Sequence, residues 1–267
     1  MVPIIKNRIQ LFQFSNLAGC GDLIHFTTTR KGGVSSYNYH SFNLGFNSGD
    51  NPESVMQNRT VLCNTLGIKA HEMIFPKQTH SATIKVIGAD YLAKDENARK
   101  ILLSGTDAVI TGLTGVCIGV KTADCVPVLL FDQKKKVIAA VHAGWRGTVQ
   151  QITSLTVKKM ISEFNSDPGD IIAAIGPSIS PEVYEVGVDV WSKFDPAYLK
   201  LNGSLSGDKK LLNLWKANQD QLIDAGIPVN HIELSGLCTF SNPESFFSAR
   251  RDGAKTGRMA TGIMLFE

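Results

Sequence analysis

The chain has 267 residues, of which 43% are hydrophobic and 19% charged, and its formal net charge is +3. This length and composition predict one globular domain over 1–267, since no linker, low-complexity run or repeat divides the chain. The small net charge and the scattered basic residues argue against nucleic-acid binding. No apolar run approaches the roughly 18 residues that a membrane span needs, and the N-terminus does not resemble a signal peptide.

Five cysteines are spread along the chain without a CxxC pair. An odd number of widely spaced cysteines favours reduced thiols over a disulfide framework, which indicates a cytoplasmic protein. The five are Cys20, Cys63, Cys117, Cys125 and Cys238.

Strand and turn patterns occupy the first part of the chain, and a helix follows them. "RIQLFQF" predicts an edge strand and "LIHFTTTR" a second strand. "DNPESVMQNRTVLCNTLG" then predicts a helix that Asp50 or Asn51 caps. Pro52 suits its first turn and Gly67 its end.

Arg59 interrupts the apolar stripe of that helix. Val55, Leu62 and Leu66 recur at helical spacing, and Arg59 occupies the i+4 position of the same stripe. An arginine that points inward needs an anionic partner or access to water, because an unpaired buried charge is costly. Two interpretations stay open: a structural ion pair or snorkelling side chain, and a role in anion binding.

The remaining chain is a run of short strands with few helices. "EMIFPKQTHSATIKVIG" predicts two short strands around a polar "KQTH" break, and "DAVITG", "GVCIGVKT" and "DIIAAIGPSI" predict further strands. "GWRGTVQQITSLTVKKMISEF" predicts one amphipathic helix, and "NLWKANQDQLIDAG" a helix capped by Asn213 and stopped by Gly226. "HIELSG" and "RMATGIMLF" supply late strands. This order favours an α/β fold of the α+β kind, with a mixed sheet flanked by helices.

A predicted hairpin places a cysteine near a histidine. "VPVLLF" and "VIAAV" are its strands, and "DQKKK" is its polar turn. A register that pairs Val128 with Ala139 puts Cys125 directly opposite His142, with Cβ atoms about 4.5–5.5 Å apart. This register is a hypothesis, because a slip of one residue would move one of the two to the other face.

A thiol beside an imidazole suits two chemistries. The imidazole can generate a thiolate nucleophile, or both side chains can bind zinc together with a third ligand. His80 in the "KQTH" break is the leading third ligand, with His25 and His40 as competitors. A structural role for a lone buried cysteine also stays open.

The "HAGWRG" segment follows His142 at a strand-to-helix junction. Gly144 and Gly147 would let backbone N–H groups approach an anion there, with Arg146 beside them. A tight turn without a ligand explains the same glycines.

Several long, ordered motifs resemble the YfiH family, also called the laccase-domain polyphenol oxidase family. They are "FTTTRKGGVS…FNLGFNSGDNPESVMQNR", "TADCVPVLL", "AAVHAGWRG", "IGPSISPEVYEVG" and "CTFSNPESFFSARRDGAKTGRMA". The match runs from about residue 22 to 267. The resemblance implies a single α/β domain around a mixed β-sandwich, with one zinc ion held by His80, Cys125 and His142.

The family resemblance also implies an activity. Members have been described as polyphenol oxidases, as peptidoglycan editing factors, and as purine nucleoside enzymes that phosphorolyse adenosine, inosine and methylthioadenosine and deaminate adenosine. This chain departs from the usual pattern at Ser81, where glycine is common, and at Val183, where a second cysteine often occurs. Neither position is a ligand implied by the resemblance.

The histidine content distinguishes between these activities. Six scattered histidines without an HxH pair argue against a multicopper oxidase, although copper can replace zinc in a Cys/His₂ site. Zinc with an open position suits adenosine deamination, with Asp124 or Glu185 as proton carrier. Phosphorolysis needs an anion cradle, for which Arg59 and Arg250 are candidates.

The sequence therefore predicts a zinc enzyme whose substrates are a purine nucleoside and phosphate. The catalytic candidates are Cys125, His142, His80 and Asp124, and the substrate-binding candidates are Arg59, Asn43, Gln78, Arg146 and Arg250. Two alternatives stay open. One is a metal-free Cys/His amidase or deamidase acting on cell-wall or peptide substrates. The other is a non-catalytic editing or partner protein whose structural zinc takes Cys238 as a fourth ligand.

Overall fold

The computed structural model describes residues 1–7, 9–200 and 208–266. Its strands are β1 (Val2–Lys6), β2 (Ile9–Gln13), β3 (Leu23–Thr28), β4 (Met73–Ile74), β5 (Ile84–Val86), β6 (Ala108–Thr111), β7 (Cys117–Thr122), β8 (Val126–Asp132), β9 (Val137–Ala143), β10 (Ile171–Ile175), β11 (Glu185–Val186), β12 (Leu199–Lys200), β13 (Lys210–Leu212), β14 (Ile232–Leu234) and β15 (Met259–Leu265). Its α-helices are α1 (Ser15–Ala18), α2 (Pro52–Leu66), α3 (Ala89–Leu92), α4 (Glu96–Leu102), α5 (Trp145–Val149), α6 (Ile152–Phe164), α7 (Val188–Trp191), α8 (Leu214–Asp224) and α9 (Ala249–Asp252).

Two six-stranded mixed sheets form a sandwich. The first sheet has the order β1-β2-β3-β15-β7-β4, and the second has the order β14-β10-β8-β9-β6-β5. Most neighbours are antiparallel, and β4/β7, β5/β6 and β10/β14 are parallel pairs. A smaller sheet of β11, β13 and β12 lies apart from both ladders. The predicted mixed α/β sandwich is confirmed.

The apolar side chains divide into cores on the two faces of each sheet. Alternate residues of β7 and β15, such as Ile118 and Ile263, pack against alternate residues of β8 and β9, such as Leu129 and Ala140, between the sheets. The outer face of the second sheet packs against α6 and α8. The outer face of the first sheet packs against α2 through Leu62. The layers are therefore helix, sheet, sheet, helix.

The capping predictions for α2 and α8 are confirmed. The Asn51 side chain accepts hydrogen bonds from the first-turn N–H groups of α2, Pro52 opens the helix, and Gly67 ends it with φ of 75°. Asn213 caps α8 in the same way. None of the helices in the described ranges is both long and apolar enough to span a membrane.

Two predicted elements differ from the structure. "RIQLFQF" contributes β2, which pairs with both β1 and β3, so β2 is an interior strand and β1 is the edge. The single helix predicted after "HAGWRG" is two helices, α5 and α6, because Gln151 adopts a left-handed conformation with φ of 60°.

The predicted hairpin register is wrong by two residues. Val128 pairs with Val141, and the ladder extends as far as Asp132 opposite Val137. The Asp132 carboxylate accepts the N–H groups of Lys134 and Lys135, which closes a tighter turn than expected. Pro127 therefore lies opposite His142. Because the error is an even number, it preserves which residues share a face.

Candidate metal centre

His80, Cys125 and His142 form one cluster at an end of the sandwich. His80 lies in the loop between β4 and β5. Cys125 directly precedes β8, and His142 is the penultimate residue of β9. One ligand atom from each lies within 4.8 Å of the others. The two imidazole rings meet edge to face, with centroids 4.9 Å apart and planes at 71°. We call these three residues the candidate metal centre.

Gly144 gives the cluster its space. The register that pairs Val126 with Ala143 brings Cys125 opposite Gly144, with His142 diagonal to Cys125 on the same face. A Cβ atom on Gly144 would lie 3.0 Å from Cδ2 of His80 and 3.1 Å from Sγ of Cys125. A side chain at this position would therefore push the two ligands apart.

The "HAGWRG" glycines thus act in packing. Gly147 also lies close to the centre, since a Cβ atom there would be 3.2 Å from the Ser81 carbonyl oxygen. The helix that follows, α5, has only five residues. Close approach of the His80 loop explains both glycines without the anion proposed from the sequence.

Asp107 organises the centre, a role that was not predicted from the sequence. It is fully buried directly before β6, and its Oδ1 lies 2.7 Å from Nδ1 of His142. The same carboxylate accepts the backbone N–H groups of Thr79, His80 and Ser81 at 2.9–3.1 Å. One buried anion therefore orients one histidine ligand directly and the loop of the other. The only sequence signal was an acidic residue at the start of an apolar strand.

Ser81 accounts for one departure from the family pattern. Its hydroxyl lies 2.8 Å from Oδ2 of Asp107 and 2.8 Å from the Gly105 carbonyl oxygen. Serine here adds a polar contact to the carboxylate that a glycine would lack. Val183, the other departure, precedes Tyr184 and is half-buried.

The thiol and the imidazoles attract one another electrostatically. Burial alone would raise the pKa of Cys125, but His142 and His80 outweigh it and lower that pKa to about 6. Burial opposes charge on His142 as well, yet Cys125 and Asp107 raise its pKa to about 9. For Asp107, hydrogen bonds from His142 and the backbone overcome burial and hold the pKa at about 2. In the metal-free protein Cys125 is therefore a thiolate at neutral pH.

The donor set fits a zinc ion with an open position. One thiolate and two imidazoles are ligands of catalytic zinc sites, and ligand atoms around a tetrahedral zinc are roughly 3.3–3.7 Å apart. The three ligand atoms here all lie within 4.8 Å of one another, which is compatible with that spacing. The Asp107 contact occupies Nδ1 of His142, which leaves Nε2 for a metal. Cys238 is absent from the cluster in the described chain, so the closed four-ligand site is not supported.

Asp124 lies beside the centre with both carboxylate oxygens occupied. Oδ1 accepts from the Thr239 hydroxyl at 2.6 Å, and Oδ2 accepts from the backbone N–H of Arg250 at 2.7 Å. Its φ of 94° is rare for a residue with a side chain. These bonds tie α9 to the segment that carries Cys125. A proton-carrying role for Asp124 would require one of them to open.

An arginine and a tyrosine pack against each other near Cys125. The Arg250 guanidinium lies 5.0 Å from the Tyr184 ring centroid and donates to the Glu185 carbonyl oxygen at 2.6 Å. Burial and the charge of Cys125 raise the pKa of Tyr184. The tyrosine is therefore close to the centre, although the sequence gave it no role. Arg146 is exposed and stacks on Trp145.

Glu185 does not face the centre as a free carboxylate. Its Oε1 pairs with Nζ of Lys209 at 2.5 Å, in β11 of the small sheet. The predicted proton carrier is thus held in an ion pair on a neighbouring element.

Two predicted ligand-orienting amides serve the backbone instead. Asn43 is fully buried, and its side chain bonds Gly45, Arg258, Ser48 and Asp50. The Gln78 amide exchanges two hydrogen bonds with the backbone of Lys121. The Asn43 amide thus has no donor or acceptor left for a ligand, whereas the Gln78 amide keeps one N–H and one lone pair, and its substrate-binding role stays a prediction.

Arg59 points inward as predicted. Its Nε and Nη2 donate to the Leu44 carbonyl oxygen, and its guanidinium lies over the rings of Phe46 and Phe75. Burial lowers its pKa to about 10. No carboxylate pairs with it among the described residues, so the structural ion pair considered from the sequence is absent there.

The competing histidines lie elsewhere. His25 is buried, and its Nε2 accepts the backbone N–H of Phe14. Burial lowers its pKa to about 4. His40 and His71 are exposed, and His231 is half-buried beside the Ile171 carbonyl oxygen.

The fold and the site define a β-sandwich protein with a Cys/His₂ candidate metal centre. Residues 24–266 match the family model described as "Multi-copper polyphenol oxidoreductase laccase". A crystal structure of the Bacillus licheniformis hypothetical protein YfiH superposes with a TM-score of 0.87 at 30% identity, covering 96% of each chain. The chain therefore belongs to this family, the YfiH family, and the predicted resemblance is confirmed.

Two relatives carry names that describe an activity. A protein of Bacteroides thetaiotaomicron named "Purine nucleoside phosphorylase" is 40% identical over 270 residues, covering 99% of both chains. A protein from an unknown prokaryotic organism, "Adenosine deaminase RL5", is 39% identical over 243 residues, which is 89% of this chain and 92% of the relative.

Proposed function

We propose that this protein is a zinc-dependent purine nucleoside enzyme that phosphorolyses adenosine, inosine and methylthioadenosine and also deaminates adenosine. The observation that most directly supports this proposal is the cluster of His80, Cys125 and His142, oriented by the buried carboxylate of Asp107. Relatives named for both activities, at 39–40% identity, support the same reading.

The residues of the centre have separate tasks in this proposal. His80, Cys125 and His142 would hold the zinc, which supplies Lewis acidity at an open fourth position. Asp107 accepts the Nδ1 proton of His142 and keeps Nε2 directed at the cluster. Asp124, the residue before Cys125, accepts the backbone N–H of Arg250 and so anchors α9 to the segment that carries the centre.

The two reactions require different groups in the site. In phosphorolysis a phosphate oxygen forms a bond to C1′ of the ribose while the C1′–N9 bond breaks, and the purine leaves with the electron pair and takes up a proton. Cationic side chains would hold the phosphate against its own charge. In deamination water adds to C6 of adenine and ammonia leaves, which needs a group that moves protons but no phosphate.

Multicopper oxidation is not supported by the ligands available. Only one cluster of three His, Cys, Asp or Glu ligand atoms occurs in the described part of the chain. A laccase-type oxidase needs several copper ions, including an electron-transfer site with its own ligands. A single copper ion in place of zinc would not supply that chemistry.

The cellular setting belongs to the same proposal. All five cysteines are free in the structure. We place the enzyme in the reducing cytoplasm, acting as one domain over 1–267.

Incubation of purified protein with adenosine tests the function. With phosphate we expect adenine, inosine and the hypoxanthine that phosphorolysis of inosine yields, and without phosphate only inosine, as separated by chromatography. His80→Ala should abolish both products, whereas His71→Ala, an exposed histidine outside the centre, should retain them. Absence of turnover across a panel of purine nucleosides with zinc-loaded protein would refute the proposal.

A second candidate function follows from the contacts that link Cys125 to His142 and His142 to Asp107. These residues form a thiolate, an imidazole and a buried carboxylate in contact, as in cysteine amidases that need no metal. This candidate requires activity on an amide substrate after zinc is removed by a chelator, and loss of that activity when Cys125 is alkylated. Loss of the amidase activity when zinc is removed would exclude this metal-free function.

A further inference from the structure

A pair of cations without a carboxylate partner lies on the outer face of the first sheet. Cys117 belongs to the outer core of β7 and Ile118 to the inner core, so Lys121 points outward with Cys117. Its ammonium group lies 5.3 Å from the Phe75 ring centroid. Arg59, from α2, lies 5.2 Å from the same ring. Two positive side chains therefore flank one aromatic ring.

Both cations donate only to backbone carbonyl groups. Nζ of Lys121 donates to the Pro76 oxygen at 2.7 Å, and Arg59 donates to the Leu44 oxygen at 2.9 and 3.1 Å. No Asp or Glu oxygen of the described chain is within 4.0 Å of either group. An ammonium has three N–H donors and a guanidinium five, so several donors are left for a ligand.

A third basic residue, Arg258, is linked to the pair through its backbone. Arg258 lies two residues before Ala260, the residue that pairs with Lys121 across the first sheet. Its backbone oxygen accepts the N–H of Leu44, whose own oxygen binds Arg59. The Arg258 guanidinium likewise donates only to backbone oxygens.

The charges of Lys121 and Arg59 repel each other in a partly desolvated place. Burial and the charge of Arg59 lower the pKa of Lys121 to about 7, against a smaller opposing effect of Asp107. The Asp107 carboxylate is itself occupied by His142 and the backbone of the His80 loop. Like charges that are held together without a counterion are costly, and a bound anion would relieve the cost.

We infer that Lys121 and Arg59, which both lie against the ring of Phe75, form an oxyanion site that takes inorganic phosphate. Arg59, Phe75 and Lys121 are each half-buried, so part of each remains accessible to solvent. This inference rests on the proposed function in one respect: it identifies the anion as the phosphate co-substrate.

The position relative to the metal centre suits that role. Pro76, which binds Lys121, and His80 belong to one loop, and four extended residues span at most about 14 Å. Gln78, between them, is fixed to the Lys121 backbone by two hydrogen bonds. Phosphate bound at Lys121 would thus lie in the same region of the protein as a nucleoside at the metal centre.

Titration calorimetry of inorganic phosphate into zinc-loaded protein tests the site. Lys121→Met and Arg59→Met should each weaken phosphate binding about tenfold or more, because each removes charge-assisted hydrogen bonds. Lys121→Arg, which keeps the charge, should restore most of the affinity. Lys85→Met, an exposed lysine of β5, serves as the matched control and should bind phosphate like the unmodified protein. Zinc content and melting temperature show that each variant is folded.

Kinetics give a second, separable readout. In Lys121→Met the KM for phosphate should rise about tenfold with little change in the KM for the nucleoside. Unchanged phosphate affinity in folded, zinc-containing Lys121→Met and Arg59→Met, or no phosphate binding by the unmodified protein, overturns the inference. If the proposed function fails instead, nucleoside turnover is absent while the phosphate titration still reports on the site.

Discussion

The carboxylate of Asp107 lies 2.7 Å from Nδ1 of His142, and both groups are buried. Because the Asp107 pKa of about 2 keeps it ionised, the imidazole is the donor in this bond. The same carboxylate binds the backbone of the loop that carries His80. One residue outside the ligand set therefore positions two of the three ligands.

Asp107→Asn should weaken zinc binding about 10- to 100-fold, the usual effect of removing a carboxylate behind a histidine ligand. An amide can still accept from His142, but it loses the negative charge and presents an N–H₂ group to the loop. Competition with a chromogenic chelator measures the affinity. Asp95→Asn, a helix cap remote from the centre, is the control, and equal zinc affinity in the two variants would contradict the assigned role.

Ser81→Gly should have a smaller effect in the same assay. It removes one hydroxyl contact to Asp107 and leaves the backbone N–H bond intact. We expect a loss of a few-fold in zinc affinity, in line with about 1 kcal/mol for one hydrogen bond. A loss as large as that of Asp107→Asn would show that the serine does more than support the carboxylate.

Gly144→Ala should displace the ligands. The added Cβ atom would lie 3.0 Å from the His80 ring and 3.1 Å from the Cys125 sulfur, so both ligand side chains would have to move away. We expect reduced zinc affinity with a nearly unchanged far-UV circular dichroism spectrum. Gly19→Ala meets no atom within 4 Å and has a negative φ, so it should bind zinc normally.

The metal-free protein should show a reactive Cys125. Because its pKa lies at about 6, below the ordinary thiol value of 9.0, the thiolate persists at pH 7 and is lost only as the pH falls through about 6. The rate of iodoacetamide labelling, followed by mass spectrometry after chelation, should drop below that pH. Burial raises the pKa of Cys63, which should label slowly throughout. Zinc should protect Cys125, and a labelling midpoint near 9 would contradict this assignment.

Asn43→Ala should destabilise the fold rather than alter substrate binding. The substitution leaves the N–H groups of Gly45 and Arg258 without their buried acceptor. We expect a loss of about 3 kcal/mol in the free energy of unfolding, measured by urea denaturation. Asn97→Ala, an exposed position in α4, should be nearly neutral. A stable Asn43→Ala protein with a raised nucleoside KM would restore the ligand-binding interpretation.

Local patterns predicted the elements whose causes are local. The caps of α2 and α8 depend on residues within one turn of each helix, and both were found at the predicted positions. The strands of the hairpin follow from apolar runs and a polar turn. Its register depends on how Asp132 closes the turn, which the apolar pattern does not determine. Cys125 and His142 nonetheless share a face, because the error was even.

The third ligand and its support are non-local. His80 comes from a loop 45 residues before Cys125, so its position in a polar break made it only the leading candidate, and the family resemblance was needed to choose it over His25 and His40. Asp107 meets the His80 loop through the β5/β6 pairing and His142 through the β6/β9 pairing, contacts that its sequence neighbourhood does not indicate. The backbone partners Lys121 of the Gln78 amide and Arg258 of the Asn43 amide are distant in sequence, so local patterns do not indicate these bonds.

The metal content of the purified protein tests the central proposal most directly. Elemental analysis of protein prepared without added metal, combined with anomalous scattering at the zinc edge, should find one zinc per chain between His80, Cys125 and His142. Cys125→Ala should lose this zinc and remain folded. A protein that contains no metal at this position, yet turns over a purine nucleoside after treatment with a chelator, would contradict the proposal.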